Sequence, residues 1–116
     1  MGQYKYVTID DKLKGFPFLR LPREILGKTN LSLEAKILYA IMLDYTDLAL
    51  KIGQVDQLKR AYITYSNGSV CRDLGVSLNT ARKRLRELQD AGLLIKQVDI
   101  GGYNIYYILA STDIIH

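Results

Sequence analysis

The stretch SLNTARKRLRELQDAGLLIK, Ser77 to Lys96, decides how the rest of the chain is read. At about 100° per residue, Leu78, Ala81, Leu85 and Leu88 form one apolar stripe of a helix. Asn79, Arg82, Lys83 and Arg86 fall on another face, more than a quarter turn away. Ser77 precedes the first apolar residue, and its hydroxyl can accept an orphan backbone N–H as N-cap. Gly92 stops the helix, where left-handed backbone costs little. Arg82, Lys83, Arg84 and Arg86 follow one another without an intervening acid, so positive charge is concentrated on one element. Such groups neutralise phosphates and release counterions, and Arg and Asn can make bidentate bonds to base edges in the major groove. A lone helix of this kind is better explained as a solvated charged face. Its neighbours favour the DNA reading.

Upstream, YSNGSVCRDLGVS predicts a short helix from about Asn67 to Leu74, capped by Ser66, with Val70, Cys71 and Leu74 facing inward. Gly75 supplies the tight turn of a helix-turn-helix and Val76 pins the corner. Downstream, Leu94 to Ile100 predicts a strand, Gly101-Gly102 a hairpin turn, and Tyr103 to Leu109 a second strand. The hairpin forms a two-stranded wing. Its tip offers Gly102, Tyr103 and Asn104 to DNA but carries no Arg or Lys, so its contribution to affinity is expected to be small.

Toward the N-terminus, Ser32 caps a long helix running from Leu33 to about Leu50. Leu33, Ile37, Leu38, Ala40, Ile41, Tyr45 and Leu48 give it a broad apolar face, as expected of a central helix. KIGQVDQLKR reads as a polar connection and AYITYS, Ala61 to Ser66, as a strand that pairs with the wing. Arg23 to Leu26 predicts a helical turn. GFPFLRLP, Gly15 to Pro22, is extended and proline-punctuated, because each proline biases its predecessor away from helix. The fold class is therefore α+β: a winged helix-turn-helix over residues 23–116, preceded by an extended arm over residues 1–22. The arm is more apolar and aromatic than a small domain needs at its surface. Tyr4, Tyr6, Phe16 and Phe18 are expected to pack across the two-fold axis of a homodimer, the alternative being an arm folded on its own domain.

Composition narrows the function. A chain of 116 residues forms one domain. Its net charge of +4 and pI near 9.2 fit an anionic partner. Nine tyrosines and two phenylalanines supply the aromatic core without tryptophan. The single cysteine, Cys71, forms no internal disulfide and is expected in the core, and the single histidine, His116, leaves no material for a zinc site or Cys/His catalysis. Asp10-Asp11 and the Asp44/Asp47 pair read as solvated rather than catalytic or magnesium-binding. No glycine-rich phosphate loop, membrane span or signal peptide is visible. No metal, cofactor or enzymatic activity is expected, and the compartment is expected to be the cytoplasm.

FLRLPREIL, LSLEAKILYAIMLDYTDLALKIG and AYITYSNGSVCRDLGVSLNTARKRLRELQDAGLL together resemble the N-terminal domain of the RepA_N family of plasmid replication initiators. That family has an aromatic-plus-LP opening and a helix with an LS-x-x-AK-x-LY-x-x-x-x-D core, matched here by Leu31, Ser32, Ala35, Lys36, Leu38, Tyr39 and Asp44. The likeness runs from about Phe16 to Leu109. The chain departs from the family in the connection GQVDQLKR and in the wing tip Gly-Gly-Tyr-Asn. The resemblance implies binding to double-stranded DNA at the repeated sequences of a plasmid origin, the iterons, usually as a dimer. It also implies that host replication proteins are engaged through a further C-terminal domain that this chain lacks. Asn79, Arg82, Lys83 and Arg86 would enter the major groove, with Ser77, Thr80 and Arg84 on the phosphate backbone. A winged-helix transcriptional repressor and a winged-helix protein-interaction module remain as alternatives.

Overall fold

Three serines set the starts of the three longer helices. A computed structural model of the chain describes residues 6, 8, 18–99 and 101–110. After Pro22 the chain makes one helical turn, α1 (Arg23–Leu26), which buries Ile25. Ser32 then accepts the Ala35 N–H at 3.1 Å and opens α2 (Leu33–Lys51). After β1 (Ile63–Thr64), Ser66 accepts the Ser69 N–H at 3.0 Å and opens α3 (Asn67–Leu74). Ser77 accepts the Thr80 N–H at 3.3 Å and opens α4 (Leu78–Asp90). Each hydroxyl satisfies a backbone donor that has no acceptor within its helix. The strands β2 (Leu94–Val98) and β3 (Asn104–Ile108) complete the order, and the antiparallel sheet runs β1-β3-β2. Lys96 pairs with Tyr106 across β2 and β3, and Ile63 pairs with Tyr106 on the other side.

Gly75 joins α3 to α4 at φ 68° and ψ 40°, a left-handed conformation that a side chain would disfavour. Its N–H and that of Val76 both reach the Cys71 carbonyl, at 2.8 and 3.1 Å, closing the corner. Helix α4 ends in the same manner, with Gly92 at φ 75° and the Leu93 N–H on the Leu88 carbonyl at 3.0 Å.

The core lies where α2, α4 and the sheet meet. Ala35, Leu38, Tyr39 and Met42 of α2 pack with Ala81, Leu85 and Leu88 of α4, Val70 of α3, and Leu94 and Tyr106 of the sheet. Ile25, Leu31, Ile63 and Tyr65 close its margins. Cys71 and Leu74 are half-buried against it. Three polar ties reinforce the packing. The Tyr39 hydroxyl donates to the Leu109 carbonyl at 3.0 Å, and the Lys36 ammonium to the Leu26 carbonyl at 2.6 Å. The hydroxyls of Tyr45 and Tyr65 both donate to Asp73 Oδ2, at 2.8 and 2.7 Å.

The structure corrects the sequence reading in three places. The buried face of α2 runs through Ala35, Leu38, Tyr39, Met42 and Ala49, while Leu33 and Leu48 are 66% and 54% exposed. These two leucines, with Ile37 and Asp44, form the opposite stripe of the helix, away from α4 and the sheet. Leu78, at the first position of α4, is also exposed. The strand expected over Ala61–Ser66 shrinks to Ile63–Thr64. Ala61 pairs back with Val55 as an isolated bridge, and Ser66 is already committed as a cap.

The connection read as merely polar is an ordered loop. Asp56 accepts the N–H groups of Leu58 and Arg60, both at 2.9 Å, and the Arg60 guanidinium at 2.8 Å. The Tyr107 hydroxyl also reaches Asp56, at 3.1 Å, and the Arg60 guanidinium lies 5.3 Å from the centre of the Tyr107 ring. The Arg60 backbone N–H, the largest lowering influence, together with these other donors, holds the Asp56 carboxyl at a pKa of about 2, against the opposing effect of burial.

Candidate nucleic-acid interface

Burial of Ala81, Leu85 and Leu88 turns the opposite face of α4 outward. Asn79, Arg82, Lys83 and Arg86 are all exposed on that face. None of the three basic groups forms an ion pair or hydrogen bond with another described residue. Arg82, Lys83 and Arg86 line an open groove with Glu87 and Asp90 at its far end. The face is therefore positive along its middle and acidic at its C-terminal end. Helix α4 has no acid in its first turn and no base in its last. Three cations and one amide on a single exposed face can neutralise phosphates and read base edges.

Arg84 is not on this face. Its guanidinium is half-buried on the flank of α4 and donates from Nε to Glu34 Oε1 at 2.8 Å and from an Nη to Glu87 Oε2 at 2.7 Å. Glu87 in turn accepts the backbone N–H of Ser32 at 2.7 Å and its hydroxyl at 2.9 Å. Burial pushes the Glu87 carboxyl up, but the Ser32 and Arg84 donors outweigh it and hold the group below the usual carboxylate range. Two carboxylates thus neutralise Arg84, and three of the four basic residues in the run remain available. The sequence showed the four cations together but not the acids, one of which, Glu34, lies 50 residues away in the chain.

Ser77 is exposed and Thr80 half-buried at the start of α4, and their hydroxyls bond to one another at 3.1 Å. The wing residues form a second locus. Gly102, Tyr103 and Asn104 line a groove of about 440 Å³ together with Thr64, Tyr65, Ser66 and Ser69, from β1 and the start of α3. Sequence reading treated Ser66 only as a cap and did not single out Thr64 or Ser69. The signal for them is tertiary, since β1 pairs with β3 and brings α3 beside the wing. Asp99 shapes the tip, accepting the Tyr103 N–H on Oδ1 at 2.9 Å, while its own N–H reaches the Tyr103 carbonyl at 2.9 Å. That carboxylate is exposed next to the tip, which has no base to offset it.

Of the four residues assigned to dimerisation, Tyr6 and Phe18 are 93% and 73% exposed, and Tyr4 and Phe16 lie outside the described residues. Among the described residues no cluster of His, Cys, Asp or Glu could hold a metal ion, and no helix is long and apolar enough to cross a membrane. Asp47 lies 3.4 Å from the Arg20 guanidinium and 3.8 Å from the Lys51 ammonium, so it takes part in surface ion pairing.

Comparison with known proteins gives a consistent result. No relative is found among curated proteins. A solved structure described as "N-Terminal domain of DNA binding protein" is 28% identical, with a TM-score of 0.73 over 93% of this chain and 85% of that one. One described as "Structure of Rep-DNA complex" is 28% identical, with a TM-score of 0.72 over 91% of this chain and 84% of that one. A third, described as "Structure of MDR initiator", is 27% identical, with a TM-score of 0.72 over 93% and 88%. The overall fold is thus shared with structures described as a Rep–DNA complex and an initiator. The sequence profile for the N-terminus of replication initiator protein A (RepA) matches residues 17–113, and the chain belongs to that family, RepA_N.

Proposed function

We propose that this chain recognises specific sequences in duplex DNA and acts in the initiation of plasmid replication, reading repeated origin sites from the exposed face of α4. The observation that carries the reading is the placement of Asn79, Arg82, Lys83 and Arg86 on one solvent-facing stripe, with no acid among the described residues paired to the three cations. The 28% identity to a structure described as a Rep–DNA complex supports it. In this reading those four side chains enter the major groove, and Ser77 and Thr80 hold the phosphate backbone. Gly102, Tyr103 and Asn104 give weak contacts from the wing. Arg84 is reassigned, since both sides of its guanidinium are held within the domain. The chain does no catalysis of its own. It acts in the bacterial cytoplasm, where a plasmid resides, together with host replication proteins.

The test is fluorescence anisotropy with a duplex of directly repeated origin sequence beside a scrambled duplex, across a salt series. Tight binding to the first alone, weakening steeply with salt, is the expected result. Equal binding to both at every salt concentration overturns sequence recognition.

We further propose that the arm, through Tyr4, Tyr6, Phe16 and Phe18, pairs two copies so that two α4 helices meet successive sites. Sedimentation of the chain should show a dimer that dissociates when Phe16 and Phe18 are both changed to Ser. An unchanged mass at high concentration counts against the arm.

A further inference from the structure

The ordinary way to close a helix start is a capping box, in which the residue three places after the N-cap reaches back to the N-cap's own N–H. In α2 that residue is Ala35, which has no group to do so. The acceptor comes instead from α4. Glu87, 55 residues away in sequence, takes the Ser32 N–H on one oxygen and the Ser32 hydroxyl on the other, at 2.7 and 2.9 Å. Arg84 then ties the same carboxylate to Glu34 in the first turn of α2, through the two edges of one planar guanidinium. Four hydrogen bonds converge at this point from the start of α2 and the flank of α4.

The position of this clamp on α4 matters. Arg84 and Glu87 lie on the flank between the buried stripe and the Lys83 edge of the basic face. The apolar stripe alone sets the roll of a helix on the core only coarsely, because apolar burial is non-directional. A directional clamp on one flank removes that freedom. Phosphate neutralisation tolerates such a roll, but a bidentate bond to a base edge does not, since its geometry is useful only within about half an ångström.

We propose that Ser32, Glu34, Arg84 and Glu87 form a positioning device for sequence discrimination, setting the roll of α4 so that Arg82 and Arg86 address base edges. Arg84 is a positioning residue and not a phosphate ligand. The proposal rests on the reading of α4 as the recognition helix.

Two variants test it without altering the net charge. Arg84→Lys keeps the positive charge, and hence any phosphate contact, but loses the planar fork. Ser32→Ala removes one donor to Glu87 together with the N-cap acceptor of α2, and touches nothing on the basic face. Each is compared with the wild-type chain on a duplex selected from a random-sequence pool by the wild type and on a scrambled duplex, across salt. Thermal unfolding is followed in parallel. Both variants are expected to bind the scrambled duplex as the wild type does, with an unchanged salt slope, while discrimination falls about fivefold, part of what one bidentate contact supplies. Lys83→Ala, a control that removes one cation from the basic face itself, should lower the salt slope by about one unit on both duplexes. A purely structural role for the clamp would lower melting temperature and affinity for both duplexes alike and leave discrimination intact, which overturns the proposal. So does a fall of about one unit in the salt slope for Arg84→Gln, the mark of a direct phosphate ligand. If the wild type itself fails to enrich any sequence, the recognition reading fails, and this inference with it. If Arg84→Lys does not fold, the Ser32→Ala result decides.

Discussion

Arg82, Lys83, Arg84 and Arg86 are near neighbours in sequence, yet their surroundings give them different work. Arg84 is enclosed by two carboxylates, and the other three pair with none among the described residues. Replacing Arg82 or Arg86 by Ala is therefore expected to abolish preference among DNA sequences while the far-ultraviolet circular dichroism stays that of the parent. The loss should be about 1–3 kcal/mol of discrimination per residue, read from paired titrations of a preferred and a scrambled duplex. Full retention of preference in both variants sinks the assignment. The angular positions of these residues were legible from spacing alone. The partners of Arg84 were not, because Glu34 reaches it only through the packing of α2 on α4. Asp56 is the second residue whose role spacing could not reveal. Its folded pKa of about 2 lies below the ordinary value of 3.8, so the stability it supplies is present above about pH 4 and is lost as pH falls toward 2. Acid unfolding of Asp56→Asn should show a flatter pH dependence than the parent across that window. Parallel curves would mean that the loop around Asp56 adds nothing to stability.

At the scale of elements, the starts and stops were the most readable part of the chain. Ser32, Ser66 and Ser77 cap as expected, and the bounds of α3 and α4 follow from Ser66, Gly75, Ser77 and Gly92. Local chemistry fixes these points, since a hydroxyl before a helix and a residue at positive φ after it act within a few residues. Gly75→Ala is accordingly expected to cost about 1–2 kcal/mol, a fall in melting temperature of several degrees by differential scanning calorimetry. An unchanged melting temperature would contradict the left-handed corner. Strand lengths and the burial of α2 were less readable. β1 is short because Ala61 pairs with Val55 and Ser66 is drawn into a cap, and both outcomes depend on residues outside the strand. For α2, several large apolar residues lie on the stripe facing away from the sheet, so hydrophobicity alone could not say which face is covered.

Over the whole molecule, tyrosine takes the place that tryptophan and phenylalanine hold in many cores. Tyr39 and Tyr106 are among the largest fully buried side chains. Burial raises the pKa of Tyr39, Tyr65, Tyr106 and Tyr107, and the hydrogen bond to Asp73 raises that of Tyr45. Because the folded values are raised, the stability tied to the neutral phenols is complete below about pH 10, the ordinary tyrosine value, and is lost as pH climbs through the folded values. An ultraviolet titration of the phenolate band should show one set of tyrosines ionising normally. A second set should resist until the chain unfolds, with the unfolding transition and the second ionisation coinciding. A single smooth titration of all tyrosines in a chain that stays folded would contradict this core. Composition had indicated an aromatic core built from tyrosine, but only the fold shows which phenols lie inside it.

The charge order along α4 has a consequence for the helix itself. Helix α2 follows the usual rule, with Glu34 near its start and Lys51 at its end, whereas α4 has no acid in its first turn and carries Glu87 and Asp90 toward its last. Aligned peptide dipoles make a helix start partly positive and its end partly negative, and each charge that complements them contributes about 0.3–1 kcal/mol. α4 forgoes that support at both ends and sets two carboxylates against its own negative pole. A peptide of residues 77–92 should therefore be weakly helical, and within the domain α4 depends on the core beneath it and on the Ser32 clamp. A polyanion against the start and middle of α4 would provide the compensation its sequence withholds. The helix is electrostatically incomplete by itself, and the charge it lacks has the sign that a nucleic acid carries.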